Sequence, residues 1–108
     1  MNRGDLITIA MQGDFGKARP ALIIQSDLFN PTHPTVTVML VSSDAVDAPL
    51  IRINVQPNTE NGLKTLCQIQ VDKTMTLRRE KVGAVIGHLD GETMLTVNRA
   101  LSVFMGIA

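Results

Sequence analysis

Aromatic side chains are scarce in this chain, which has three phenylalanines, no tyrosine and no tryptophan. General single-strand binders stack bases on arrays of aromatic rings, so that class is largely excluded. Cysteine is scarcer still. Cys67 stands alone, so no internal disulfide can form, and one cysteine cannot build a structural zinc site. His33 and His88 lie far apart, and no Cys or His pair has metal-ligand spacing. P-loop and dinucleotide-binding glycine patterns are missing too, so we expect neither metal nor cofactor. Charge of one sign is also lacking: ten basic residues balance ten acidic ones. Domains that grip long duplex DNA usually carry a basic excess or stripe, and a neutral chain argues against that role. It leaves room for a local site that takes a few nucleotides. Apolar runs such as Ala21 to Ile24 are far too short to span a bilayer. No N-terminal stretch combines a basic region, an apolar run and a small-residue cleavage site. The expectation is a reduced, cytoplasmic protein with no membrane association.

What is present reads as one small domain of 108 residues, 44% hydrophobic and 19% charged, a globular balance. The first half consists of short strands. Asp5 to Met11 carries Leu6, Ile7 and Ile9 and runs into a glycine-containing loop, Gln12 to Lys17. Arg19 to Gln25 is apolar through its centre, as in a strand buried on both faces. Pro20 cannot donate to a ladder and belongs at that strand's start or on an edge. After a loop from Ser26 to Pro34, the β-branched stretch Thr35 to Ser42 is the clearest strand. Leu50 to Val55 alternates Ile51, Ile53 and Val55 with polar residues. Thr65 to Asp72 alternates likewise, with Cys67, Ile69 and Val71 opposite Gln68, Gln70 and Asp72. Lys81 to His88 forms a last strand, weakened by Gly83 and Gly87.

The period then changes. Met94, Val97, Leu101, Phe104 and Met105 recur at helical spacing, with Asp90 as N-cap, Glu92 in the first turn and Gly106 at the stop. Six short strands and one terminal helix, without crossover helices, exclude a doubly wound parallel sheet. They predict a mainly β fold: a small, strongly bent antiparallel barrel with the C-terminal helix packed against it.

One constellation remains: Arg3-Gly4-Asp5, a glycine-containing loop, then Lys17-Ala18-Arg19-Pro20-Ala21-Leu22-Ile23-Ile24. Here the chain resembles the MazF/PemK (Kid) family of toxin endoribonucleases. That family opens with an R-G-[DE] strand, a loop and an R-P-x-[LV]-[VI]-[IL] second strand. The likeness continues through Thr35 to Ser42 and through His88 to Met94 at the start of the helix, over nearly the whole chain. It implies an SH3-like barrel, a homodimer and metal-independent cleavage of single-stranded RNA. It also implies a cognate antitoxin, whose disordered tail covers the RNA groove.

The resemblance carries residue roles with it. Arg19 matches the R-P arginine, catalytic or phosphate-binding in several members. Attack of a ribose 2′-hydroxyl builds negative charge on the phosphoryl oxygens, and a planar guanidinium can meet two of them. Ser42 falls where the family places a Thr or Ser that closes the third strand, with Ser43 next in register. Asp14, five residues before Arg19, matches a loop glutamate of some members and is a candidate base or a group that orients Arg19. Lys17 could hold a flanking phosphate. Gln68 and Gln70 depart from the PemK-like branch, which has an acid–base pair on that strand. Glutamines cannot exchange protons, but they can hydrogen-bond RNA. His33 and His88 are the side chains whose ordinary pKa suits proton transfer near neutrality. His33, in a loop with two prolines, is the better candidate. Ser42, Ser43, His33 and Asp44 lack a nucleophile-elbow context for a triad. A rival reading is a non-enzymatic toxin resembling CcdB, which shares the fold and poisons DNA gyrase; another is a degenerate member that binds antitoxin only.

Overall fold

In the computed structural model, described for residues 1–10 and 17–107, six strands form one antiparallel sheet with a C-terminal helix. The strands are β1 (Asp5–Ala10), β2 (Ala18–Ile23), β3 (Thr35–Ser42), β4 (Arg52–Val55), β5 (Cys67–Arg78) and β6 (Val82–His88); α1 spans Gly91–Met105. Their order across the sheet is β4-β5-β3-β2-β1-β6.

The central strands are apolar in both directions because the sheet is covered on both faces. One cluster joins Leu6, Leu22, Met39, Val41, Ile69 and Val71 to Val97 of the helix. The second lies on the opposite face: Ile7, Ile9, Ala21, Ile23, Val36, Val38 and Leu77. Successive residues of β1 and β2 therefore feed different clusters, as the two-residue period of a strand requires. The helix adds Met94, Val97 and Leu101 to the first cluster. Asp90 accepts from the Thr93 N–H at its start, and Gly106 closes it with φ 74°. No helix of the described residues is long and apolar enough to cross a membrane.

Strand boundaries differ from the sequence reading: β2 ends at Ile23 instead of Gln25, β5 begins at Cys67 instead of Thr65, and two further differences have a clear cause. Leu50 is exposed and lies in a turn, where Ile51 and Arg52 N–H groups both donate to Ala48, so β4 starts only at Arg52. β5 runs six residues past Asp72, to Arg78. Its second half keeps pairing with β3, and the Thr37 and Thr76 hydroxyls bond across the ladder at 2.7 Å. Polar Lys73, Thr74 and Thr76 conceal that half from an apolar-periodicity reading. A register shift between Met39 and Val41 lets β3 follow the bend in β5.

Arg3-Gly4-Asp5 acts as a latch. The Arg3 N–H donates to Asp27 and its guanidinium to the Ile24 carbonyl, fixing the N-terminus to the β2–β3 loop. β4 and β6, at opposite ends of the sheet order, are linked through the connection after β4. Asn58 and Asn61 exchange backbone-to-side-chain bonds of 3.1 and 2.7 Å, and Asn61 also accepts from the Leu63 N–H. This loop lies on β6, where the His88 N–H donates to the Glu60 carbonyl at 2.9 Å. The approach is backbone against backbone. A Cβ on Gly62 (φ 68°) would sit 2.0 Å from the Ile86 oxygen, and one on Gly87 would sit 2.4 Å from the Glu60 oxygen. Gly87, one of the two glycines that weaken β6 in the sequence reading, is what lets the loop seat there; the other, Gly83, lies against Thr8 of β1.

Gly62→Ala should therefore destabilise the fold by at least about 1–3 kcal/mol, through overpacking as well as the left-handed backbone. A thermal melt should show a loss of at least about 4 °C. An unchanged midpoint would mean the loop is not tightly seated.

Three carboxylates should set the acid limit of the fold. Backbone donation from Arg3 holds Asp27 below the ordinary carboxylate range, and donation from the Thr93 N–H does the same for Asp90. For Asp72 desolvation pushes upward, but its ion pair with Arg52 outweighs it and the net shift is down. Lowered folded-state values mean stability that is present above the unfolded pKa and lost as pH falls through the folded one. Denaturant midpoints should thus drop below about pH 4, and Asp72→Asn combined with Asp90→Asn should flatten that drop.

Candidate active site

β2 pairs with β1 from Ala18 to Leu22 but with β3 only from Ala21 to Ile23. Extending the β2–β3 register would set Arg19 opposite Ser42, yet the ladder stops first. Pro20, lacking an N–H, sits where β2 has a partner on one side alone, in keeping with its expected edge position. The strands part at this end and leave a cavity of about 410 Å³.

Its walls come from six parts of the chain. β2 gives Ala18, Arg19 and Pro20, and the end of β3 gives Val41 and Ser43. The β4–β5 connection gives Gly62, Leu63, Lys64 and Thr65. Cys67 comes from β5, Thr8 from β1 and Ile86 from β6. Val41, Leu63 and Cys67 are buried, whereas Arg19, Ser43, Lys64 and Thr65 are exposed, so an apolar floor carries a polar, cationic rim. Burial pushes the Cys67 thiol up, which keeps it neutral at physiological pH. Thr8 is tied down by accepting from the Ala84 N–H at 3.0 Å.

The residues singled out from sequence fare differently. Arg19 and Ser43 both line the cavity, at its exposed rim. Ser42 is half-buried and outside the lining, and its Oγ accepts from the Asp44 N–H at 3.0 Å in a local turn. The serine facing the cavity is thus the next one along. Lys17 is exposed one residue before β2 and does not line the cavity. Asp14 lies outside the described residues.

Gln68 is a correction. It is buried, its Oε1 accepts from Val46 N–H, and its Nε2 donates to the Val46 carbonyl and to Asn54. With both N–H donors and its oxygen so engaged, it ties down the loop after β3, and it is buried and outside the cavity lining. Gln70 is half-buried opposite Arg52 in the β4–β5 ladder and does not line the cavity. His33 is a second correction. It precedes β3, whereas Ser43 follows it, and a strand rising about 3.3 Å per residue puts those ends roughly 23 Å apart. Its ring packs edge-on against Phe29, and its carbonyl accepts from Arg79. Within one chain His33 cannot serve a site centred on Arg19.

Sequence reasoning missed Lys64, Thr65 and Thr8. Asn61-Gly62 is a turn-forming pair, but only tertiary placement of that turn on β6 brings Lys64 and Thr65 round to the mouth of the β2–β3 gap. Among the described residues, no carboxylate or imidazole lines the cavity.

Comparison with known proteins agrees with this architecture. The chain is 42% identical over 109 residues to a probable endoribonuclease MazF of Mycolicibacterium smegmatis, covering all of this chain and 99% of that protein. It is 26% identical to endoribonuclease EndoA of Bacillus subtilis, covering 99% of this chain and 96% of that one. A mycobacterial endoribonuclease solved in complex with its cognate antitoxin superposes with a TM-score of 0.84 at 20% identity, over 100% of this chain and 97% of that chain, and so shares the fold. The family model for the PemK-like, MazF-like toxin of type II toxin–antitoxin systems matches residues 2–105, and the chain belongs to that family.

Proposed function

We propose that this protein is an endoribonuclease toxin that cuts single-stranded RNA without a metal and is neutralised by a cognate antitoxin. The observation that carries the reading is Arg19 on the rim of the cavity beside Ser43, in a chain whose relatives are named endoribonucleases. Family membership does not favour the gyrase-poison alternative.

The chemistry needs few groups. A base takes the proton from the ribose 2′-hydroxyl, whose oxygen attacks the adjacent phosphorus. The bond to the 5′-oxygen breaks, and that oxygen leaves with a proton. The products are a 2′,3′-cyclic phosphate and a 5′-hydroxyl. Arg19 meets the charge that grows on the phosphoryl oxygens with two parallel N–H donors. Ser43 donates to the same phosphate, Lys17 holds a flanking one, and Asp14 is the candidate base.

The test is Arg19→Ala, assayed on a single-stranded RNA in excess EDTA. Wild-type protein should cut under those conditions. Because Arg19 acts on charge that develops in the transition state, cleavage should fall far more than RNA binding. The expected loss is about a hundredfold to a thousandfold in rate. Arg19→Lys should recover only part, since a point charge cannot reproduce the two-pronged contact. A folded Arg19→Ala protein cutting at the wild-type rate would remove Arg19 from the mechanism. Wild-type activity that needs added magnesium would overturn the metal-free route.

Assembly is a second expectation. Val103, Phe104, Met105 and Ile107 are exposed at the end of the helix and just beyond it, an apolar surface that a homodimer would cover. Sedimentation at micromolar concentration should give about twice the 11.7 kDa chain mass. A clean monomer would count against it.

A further inference from the structure

We infer that the outer edge of β5, from Lys73 to Arg78, is a docking site for an extended acidic segment of a partner protein, which joins the sheet as a further strand. The inference stands apart from the RNA-cleavage reading: β5 reaches the cavity through Cys67, and the edge begins six residues farther on. The first ground is the ladder. β4 covers β5 from Cys67 to Gln70, and the last hold on that side is the Ile51 carbonyl, which accepts from the Val71 N–H. Beyond it, among the described residues, β5 has a neighbouring strand on the β3 side alone.

Two contacts fix where the backbone groups of this edge point. The Arg79 N–H donates to the Pro34 carbonyl, in the same register that pairs Arg78 with Thr35 and Leu77 with Val36. Antiparallel pairs alternate between bonded and non-bonded, so Leu77 and Met75 bond to β3 whereas Arg78, Thr76 and Thr74 do not. The residues of β3 agree. The Thr37 carbonyl accepts from Ile24 and Gln25 on the β2 side, and its N–H donates to Gln25 Oε1. Thr74, Thr76 and Arg78 therefore turn their N–H and C=O groups outward, where no described group meets them. All three residues are exposed. Such an edge is a template for another strand.

Charge decides the occupant. Lys73 and Arg78 stand at the two ends of the edge, exposed, and neither forms an ion pair among the described residues. Between positions 73 and 81 Glu80 is the one carboxylate, against Lys73, Arg78, Arg79 and Lys81, in a chain with no net charge. A second copy pairing about a two-fold axis at Thr76 would set Lys73 of each protomer opposite Arg79 of the other, and like charges directly opposite destabilise a ladder. Moving the axis to Leu77 would oppose Lys73 and Lys81. Moving it to Met75 would drive Arg79 onto Val71, whose edge Ile51 already occupies. A peptide with a carboxylate facing each cation meets none of these obstacles.

The probe is a capped hexapeptide, glutamate–valine–threonine–valine–threonine–glutamate, offered to the full-length protein. Antiparallel docking sets its glutamates opposite Arg78 and Lys73. Amide hydrogen exchange in the free protein should be fast at Thr74, Thr76 and Arg78 and slow at Met75 and Leu77, and the peptide should slow the first three. N-methylation of its two threonine amides, which face β5, should weaken binding roughly tenfold. Lys73→Glu combined with Arg78→Glu, both exposed positions, should weaken it by a similar factor of about ten, and that variant should prefer a peptide with lysine at both ends. No binding at millimolar peptide, or binding that leaves the three amides exchanging freely, would overturn the site. Equal binding of the glutamate-ended and lysine-ended peptides to the wild-type protein would remove the acidic partner. Concentration-dependent protection of Thr76 in the free protein would replace the partner with a second copy.

Discussion

The contact on which the molecule depends is the seating of one loop on one strand, backbone against backbone. The connection after β4 reaches β6 at Glu60, Asn61 and Gly62, where Ile86, Gly87 and His88 receive it. Van der Waals contact that close admits no side chain on either surface, so both surfaces carry glycine. The paired asparagines Asn58 and Asn61 give the loop a fixed shape before it docks, satisfying N–H groups that would otherwise be buried unpaired. Through this loop the strands at opposite ends of the sheet order are joined without a ladder between them. The same loop then supplies Gly62, Leu63, Lys64 and Thr65 to the cavity wall. One loop therefore both links the two edge strands and supplies part of the cavity wall.

Polarity around the sheet follows from the same economy. Covering both faces of the central strands leaves almost no interior position for a charged group, so charge collects at the strand ends and rims. The partial exception is the Arg52–Asp72 pair on β4 and β5, half-buried and mutually compensated, which places little net field near the cavity. Gln68 is the uncharged counterpart: a buried side chain whose cost of desolvation is offset because every polar atom has a partner. These groups hold shape. The exposed cationic side chains that line the cavity, Arg19 and Lys64, stand instead at its rim, where β2 and β3 part.

Much of the fold was legible in the sequence because it rests on periodicity and end signals. The alternation in Thr35–Ser42, the two-sided apolar run after Pro20 and the Asp90 and Gly106 caps each have a local physical cause, and each is found where expected. The second half of β5 was not legible, since Lys73, Thr74 and Thr76 face outward and carry no apolar contrast; only pairing with β3 makes them strand. The site was legible in part for the same reason. Arg19 announces itself through the proline beside it. The difference between Ser42 and Ser43 turns on a single hydroxyl bond to Asp44, and that bond is invisible until the turn after β3 has formed.

The glutamines illustrate the limit most clearly. Strand alternation puts Gln68 and Gln70 on one face, and a polar face opposite a core reads naturally as open to solvent or ligand. That inference assumes nothing else covers the face. Here the loop after β3 folds back over Gln68, and Val46 takes both its donor and its acceptor. Two-residue periodicity tells which side of a sheet a residue faces; it says nothing of what lies on that side. Lys64 is the converse case. It sits in a polar connection with no periodicity at all, and its place at the cavity is set by a glycine contact more than twenty residues away in sequence. For a site assembled at parted strand ends, the residues fixed by local pattern are the ones that can be named in advance. Those delivered by long-range docking emerge only with the fold, and they are the ones that give this cavity its second cation.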